Sequence, residues 1–545
     1  MVDPKPLPFL RTPPFPGVGP AQAAVSIKDK GSSGRPADDR ILDLIRTARV
    51  GGTFWGDRAD GIRLLIDRGS RPPADMLQAM APDAIGVLPG APKLAVNARV
   101  LSATYDPWAL VDAADSIWAG ADEEVAIIAG LLNKPVYGPD GIPLSADLLR
   151  DAALAALGET RYRNCFTGAD MDVEEAIMLL ADWRRHIEGN KGIAAASGMA
   201  FWKRPAIQQF LWDGARSPAF MPPRGGLERA RRVKGALAVW PSRVPHDIME
   251  QAREQGVSVT RVEDGFLRSR GLGAGLHPPG SVVVDRKGIY YDASRPSDLE
   301  DLLAMHPFPD ALVKRAAALR RRICATGVTK YGMQTGDALA LPSGRRTVLA
   351  VGQVDDDMSV RLGGGGIAGN LQFLEQVRRK EPDAWIVYRP HPDVQAGHRK
   401  GHLSNAAILA HADVIDTGSP LMPLVEAVDE VHVLSSLTGF EALMRGRKVT
   451  VHGMPFYAGW GLTRDLPAPN PRRGRSLTID QLVAAVLILY PRYLDPVTNL
   501  PCGPELMVDR LSDDDVVQTG WLIKLRSVQG KLRRIMTVFV TSFHG

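Results

Sequence analysis

Three cysteines in 545 residues, at positions 165, 324 and 502, are too few and too far apart for a disulfide framework or a zinc site. Their scarcity fits a reducing compartment. No run approaches the roughly 18 apolar residues of a membrane-spanning helix. The N-terminal residues carry prolines where a secretory signal has its apolar core. The glycines at 363–366 lack the Lys-Ser/Thr ending of a P-loop. These absences argue against a disulfide-stapled secreted scaffold, a helical membrane protein and a P-loop NTPase. The expectation is a cytoplasmic chain, or one peripheral to a membrane.

The hydrophobic fraction, 45%, and the charged fraction, 23%, are those of a soluble globular protein. The length allows about three or four domains. A net charge of +5 suits anionic partners such as nucleotides or acidic lipid surfaces. A nucleic acid is not among the expected partners.

Residues 1–37 are rich in Pro, Gly and Ser and read as a flexible tail. Residues 38–230 read as an α/β module, with a helix near 41–45, strands at 84–88 and 116–118, and a helix at 125–132. A basic stretch at 224–234 with paired glycines, Gly225 and Gly226, reads as a linker. Short apolar strands then recur at 237–240, 257–262, 282–285, 348–351, 386–388, 414–415, 431–434 and 449–452, with helical text between them. That alternation is the pattern of doubly wound parallel sheets. The expected division is 231–345, 346–490 and a helical C-terminal extension, 491–545. The text also repeats weakly. Residues 115–138 align with 429–453, setting Glu124 opposite Glu441, and residues 161–167 align with 492–498. The first copy lacks the serines and the aromatic loop of the second, so the 38–230 module reads as a degenerate repeat.

Several motifs sit at strand ends, where open α/β sheets bind ligands. Glu263 and Asp264 end the 257–262 strand and are followed by Gly265, Arg268 and Arg270. A carboxylate beside arginines stays ionised, as a nucleophile or charge stabiliser requires. His391, held between Pro390 and Pro392, follows the next half's strand together with Arg389 and offers a donor pair for a phosphate. Ser435, Ser436 and Thr438 open a helix, a place for an anion. Thr438 with Glu441 also fits a capping box. Gln353 lies just past the 348–351 strand, before the acidic run 355–357, which is read as solvated loop. Tyr457 and Trp460 sit in an aromatic, glycine-rich loop at 455–465. It suits either a sugar or base platform or a buried clamp between domains. Trp521, Leu525, Val528, Leu532, Ile535 and Phe539 share one face of a basic C-terminal helix, read as docked on the body or lying on an anionic membrane.

Taken in order, residues 263–273, 283–285, 288–292, 352–357, 389–394, 435–441 and 455–463 resemble the bacterial capsular polysaccharide β-Kdo transferases. Kdo is 3-deoxy-D-manno-octulosonic acid. The resemblance covers residues 235–465. It implies a GT-B-like pair of Rossmann-type domains, here preceded by the degenerate α/β repeat. It implies a retaining transferase that uses CMP-Kdo to build the Kdo linker of a surface polysaccharide on a lipid-linked acceptor. Asp264 would be the nucleophile, with Glu263 assisting. Arg389, His391, Pro392, Ser435, Ser436 and Thr438 would line the CMP phosphate site, and Glu441 would take ribose or cytosine hydrogen bonds. Arg268, Gln353, Tyr457 and Trp460 complete the expected substrate contacts. No metal or cofactor is implied. Partners would be the donor, the glycolipid acceptor, the inner-membrane surface and the capsule export machinery. The first 230 residues lack these motifs, so one active site is expected. A competing reading is a non-catalytic glycolipid-binding protein of capsule assembly or export. A metal hydrolase using His391, His398, His402, His411 and Asp413 ranks lowest.

Overall fold

A computed structural model describes residues 8–23, 25–28, 38–67, 69–91, 93–94, 96–101, 104–158, 160–269, 277–330, 339–397 and 399–513. The chain forms two compact units. One comprises residues 1–192, 211–218 and 498–501, and the other residues 193–210, 219–497 and 502–545.

The first unit is built on a parallel sheet of five strands, in the order Arg99–Val100, Ile85–Val87, Leu64–Ile66, Ser116–Trp118, Val136–Tyr137. Leu64, Leu65 and Ile66 are all fully buried, as a central parallel strand covered on both faces requires. The helix Asp39–Ala48 is capped by the Asp38 carboxylate, which accepts from the Ile41 N–H. The expected flexible tail is corrected here. Phe9, Leu10, Phe15 and Val25 belong to this unit's core, and the Phe15 ring lies 5.0 Å from Trp183 and 5.1 Å from Trp212. Four apolar anchors among the prolines outweigh the composition. Residues 1–7 and 29–37 lie outside the described residues.

The second unit contains two sheets. In the first, Ala219–Phe220, Ile193–Ser197, Ala236–Val239 and Val259–Asp264 run parallel in that order. Ser281–Asp285 and Pro491–Leu494 then continue antiparallel. The second sheet has the parallel order Val414–Ile415, Trp385–Arg389, Thr347–Val351, Glu430–Val433, Lys448–Val451, Arg464–Asp465. Numbered along the chain, its six parallel strands lie in the order 3-2-1-4-5-6, which is the Rossmann order. The first unit's sheet shares the order of the first five.

All eight strands read from the sequence after residue 235 are present. The boundaries at 230 and 490 fall elsewhere. The strand Ile193–Ser197 pairs with Ala236–Val239 and belongs to the first of these two sheets, and Pro491–Leu494 is one of its strands rather than part of a helical extension. The expected linker is a helix, Pro223–Arg232, with proline in its first turn. Gly226 packs it against the sheet, since a Cβ there would stand 2.6 Å from Ser197 Oγ and 2.9 Å from Leu237 Cδ1. Among the described residues, no helix is long and apolar enough to cross a membrane. The C-terminal apolar face at 521–539 lies outside them, as do Arg270 and His398.

Candidate active site

The acidic pair lies within the last strand turn of Val259–Asp264, not in the loop beyond it. Successive strand residues point to opposite faces, so the two carboxylates have different surroundings. Asp264 is met by Lys203, whose Nζ donates to Oδ1 at 2.9 Å and to Oδ2 at 3.0 Å. Arg268 Nε is 2.8 Å from Oδ2. Arg268 is nearly fully buried and fixed, donating to Ser269 Oγ at 2.7 Å and to the His277 carbonyl at 3.2 Å. Burial works against the Asp264 charge. Lys203 and Arg268 override it, and the carboxyl sits below its ordinary range. Among the described residues Glu263 has no such clamp; its Oε1 accepts from the Asp264 N–H at 3.1 Å. Burial, then the neighbouring Asp264 charge, push its carboxyl up to about 7, against the pull of Lys203 and Lys330. Two adjacent carboxyls are thus driven in opposite directions, an arrangement suited to one ionised group and one that exchanges a proton near neutrality.

The turn after the pair depends on Gly265, where a Cβ would stand 2.3 Å from Ser281 Oγ. Asp285, fully buried, accepts from the N–H groups of Lys287 at 2.9 Å, Gly288 at 2.7 Å and Asp298 at 3.0 Å and from the Tyr490 hydroxyl at 2.8 Å. It holds the segment that carries Tyr290 and Tyr291. Both tyrosine hydroxyls are driven further from ionisation, by burial first and then by the Glu263 charge. Tyr291 Oη is buried with no hydrogen-bond partner among the described residues.

In the second sheet, Val351 is in register with Arg389 on one side and Val433 on the other. Two residues beyond each of these stand Gln353, His391 and Ser435, so the strand ends bring the three into one row. Gln353 and Ser435 join across the point where strand order reverses. The Ser435 N–H donates to Gln353 Oε1 at 2.8 Å, and Gln353 Nε2 donates to Ser435 Oγ at 3.1 Å. His391 caps the short helix Pro392–Gln395, its Nδ1 accepting from the Asp393 N–H at 3.1 Å. Burial keeps this imidazole neutral by lowering its pKa. With Nδ1 accepting, the neutral ring carries its proton on Nε2, a donor for an anionic oxygen. Gly363 ties the row to the first sheet's segment: a Cβ there would lie 3.2 Å from the Tyr291 carbonyl and 3.6 Å from Ser435 Cβ.

A family model described as capsule polysaccharide biosynthesis protein matches residues 235–493. The capsule polysaccharide modification protein LipA of Neisseria meningitidis serogroup A is 36% identical over 388 residues, covering 71% of this chain and 54% of that protein. The lipopolysaccharide-processing protein LpsZ of Rhizobium meliloti is 46% identical over 247 residues, covering 44% of this chain and 56% of that protein. The solved β-Kdo 2,4 transferase of Thermosulfurimonas dismutans KpsC is 34% identical with a TM-score of 0.50, covering 59% of this chain and 98% of that chain. The chain belongs to the capsule polysaccharide biosynthesis family. It spans about half the length of the curated relatives it matches.

Several residues singled out from the motifs of this family have other duties in the structure. Arg389 is ion-paired with buried Asp416, so its charge is already committed. Glu441 is 7% exposed and accepts from the Lys330 N–H at 3.3 Å, which does not fit a free ribose contact. Tyr457 and Trp460 are fully buried. The Tyr457 hydroxyl donates to the Ser436 carbonyl, and Trp460 Nε1 donates to the Phe456 carbonyl at 2.9 Å. Phe456, from the same loop, packs 5.0 Å from Phe266. The loop is therefore a clamp under the acidic pair rather than an open platform. The helix Leu437–Met444 is capped by Ser436, whose hydroxyl accepts from the Thr438 N–H at 3.2 Å, so the box led by Thr438 does not form. Ser436 Oγ lies 3.2 Å from Thr438 Oγ1, and Pro392 is the first residue of the His391-capped helix. Lys203 was missed. It lies outside the residues of the family match, and no motif in the sequence analysis includes it.

Proposed function

We propose that the second unit is a retaining glycosyltransferase that moves Kdo from CMP-Kdo to a lipid-linked acceptor in capsule or related surface polysaccharide assembly. The observation that carries this is the split pair: Asp264 held ionised by Lys203 and Arg268, beside Glu263 raised towards neutrality. The likeness to the KpsC β-Kdo 2,4 transferase supports the sugar and the reaction class. The nucleotide would lie on the row of Gln353, His391 and Ser435, with the serine-capped helix near its phosphate.

In this reading an Asp264 oxygen attacks the anomeric carbon of the donor. The carbon–oxygen bond to phosphate breaks and CMP leaves with that electron pair. Donors that meet the departing phosphate oxygen, His391 Nε2–H and Ser435, lower this barrier. An acceptor hydroxyl then attacks the same carbon, its proton passes to Glu263, and the Asp264 carboxylate is released. Two inversions give net retention. No metal enters. The protein would work at the inner face of the cytoplasmic membrane, where a lipid-linked acceptor is presented.

Intact-mass analysis after incubation with CMP-Kdo, wild type beside Asp264→Ala, tests this. The expected result is one added Kdo mass and released CMP for wild type only. No adduct and no CMP release, with a lipid-linked acceptor also present, would move the assignment to a glycolipid-binding role.

A further inference from the structure

Asp264 is an unusual nucleophile because both its oxygens are already engaged. Lys203 Nζ contacts both, and Arg268 Nε contacts one. The two cations are not equivalent. The Arg268 guanidinium is 1% exposed and bonded to Ser269 and the His277 carbonyl. Lys203 ends in a freely rotating ammonium on a flexible stem. Its Nζ lies 3.6 Å from the centroid of the Trp240 ring and 5.2 Å from that of Trp202. An aromatic face stabilises a cation at low dielectric without fixing where it points. Lys203 can therefore turn from one carboxylate to another while its charge stays supported.

What would draw it away follows from the chemistry of the donor, and this step rests on the Kdo transferase reading. In an ulosonic acid the anomeric carbon bears the carboxylate directly. An Asp264 oxygen within attacking distance, about 3–3.5 Å, must come close to that second anion. Two carboxylates so near each other in a half-buried site repel strongly unless a cation sits between them. A neutral sugar brings no such anion and leaves the ammonium closed over Asp264.

We propose that Lys203 binds the carboxylate of the donor's sugar acid, turning towards it from Asp264, and so both uncovers the attacking oxygen and selects 2-keto sugar acids over neutral sugars. The nucleotide row of Gln353, His391 and Ser435 is untouched by this exchange, so the contribution of Lys203 is confined to the sugar.

The test is the ratio of CMP-Kdo affinity to CMP affinity, measured by titration calorimetry on the full chain without acceptor, with the phosphonate analogue of CMP-Kdo (CH2 in place of the bridging oxygen) standing in for CMP-Kdo throughout so that no adduct forms. Wild type is expected to prefer CMP-Kdo at least tenfold. Lys203→Met is expected to remove most of that preference while CMP affinity stays within about twofold, and Lys203→Arg to restore part of it. Thermal unfolding of each variant checks the fold, and Lys203→Gln serves if the Met variant does not fold. A preference that survives Lys203→Met or Lys203→Gln overturns the proposal, as does an equal loss of both ligands, the mark of a merely structural residue. A wild type with no preference for CMP-Kdo overturns the transferase reading itself, a different result from either of these.

Discussion

Lys203 Nζ stands 2.9 Å and 3.0 Å from the two carboxylate oxygens of Asp264, a residue 61 positions later in the chain. The contact joins the loop after the strand Ile193–Ser197 to the end of the strand Val259–Asp264 in the same sheet. It fixes the charge state of the carboxylate that the proposed chemistry uses, and it makes the pair sensitive to any change on either side.

Asp264→Asn keeps the shape and removes the charge. Donor cleavage, read as CMP release, should fall by roughly a thousandfold or more, the scale of losing a nucleophile. CMP binding should persist, because the row at Gln353 and Ser435 belongs to the other sheet. The variant also leaves Lys203 and Arg268 without their counter-charge. A stability loss of about 3 kcal/mol in denaturant unfolding is expected.

Glu263 makes a prediction of opposite sign. Its folded pKa, about 7, lies above its unfolded value, ordinarily about 4.3. Between those values the folded state binds more protons, so stability is fully present below about pH 4.3 and is lost as pH rises through about 7. Glu263→Gln escapes that loss. It should match wild type in melting temperature near pH 4.5 and exceed it at pH 8, by the equivalent of about 2 kcal/mol after allowing for coupling to Asp264. Transfer to acceptor should rise through an apparent pKa near 7 in wild type, and that limb should vanish in the variant. Equal melting temperatures at both pH values would count against a raised Glu263.

The strands, and the carboxylates at the end of one, were legible because apolar runs broken by turn residues leave a strong period in the text. What could not be read was which side chains remain free. Arg389 looks like a phosphate ligand until Asp416, 27 residues on, is found paired with it. Tyr457 and Trp460 look like a platform until Phe266 and Phe440 are seen packed on the same loop's Phe456. Lys203 has no local signature, since its meaning comes only from a strand end that folding brings beside it. The tail misled for a related reason: composition reported the prolines, while burial of Phe9, Leu10 and Phe15 decided the outcome.

Gln353 is expected to act on the nucleotide side alone. Its amide is spent on both the N–H and the hydroxyl of Ser435, so Gln353→Ala loosens the serine rather than removing a charge. A five- to tenfold loss in CMP affinity is expected, on the order of 1 kcal/mol, as for loss of one or two neutral hydrogen bonds. The fraction of enzyme that accumulates a Kdo adduct at saturating donor should be unchanged, since Asp264 and Lys203 are untouched. A variant that binds CMP normally but forms no adduct would place Gln353 on the sugar side instead.

Phe15 offers a test of the first unit. Its ring contacts Trp183 edge-on at 5.0 Å and Trp212 at 5.1 Å, and it is 3% exposed. Truncation to alanine opens a cavity between two tryptophans that are themselves nearly buried and have little room to collapse. Phe15→Ala should destabilise the unit by about 3–5 kcal/mol. It should raise Trp fluorescence quenching by acrylamide as Trp183 and Trp212 become accessible. Were residues 8–28 a loose tail, neither signal would move. Donor cleavage by the second unit, measured below the first unfolding transition, separates a local loss of packing from a general one: it should stay at the wild-type rate, because every group assigned to the chemistry lies in the other unit.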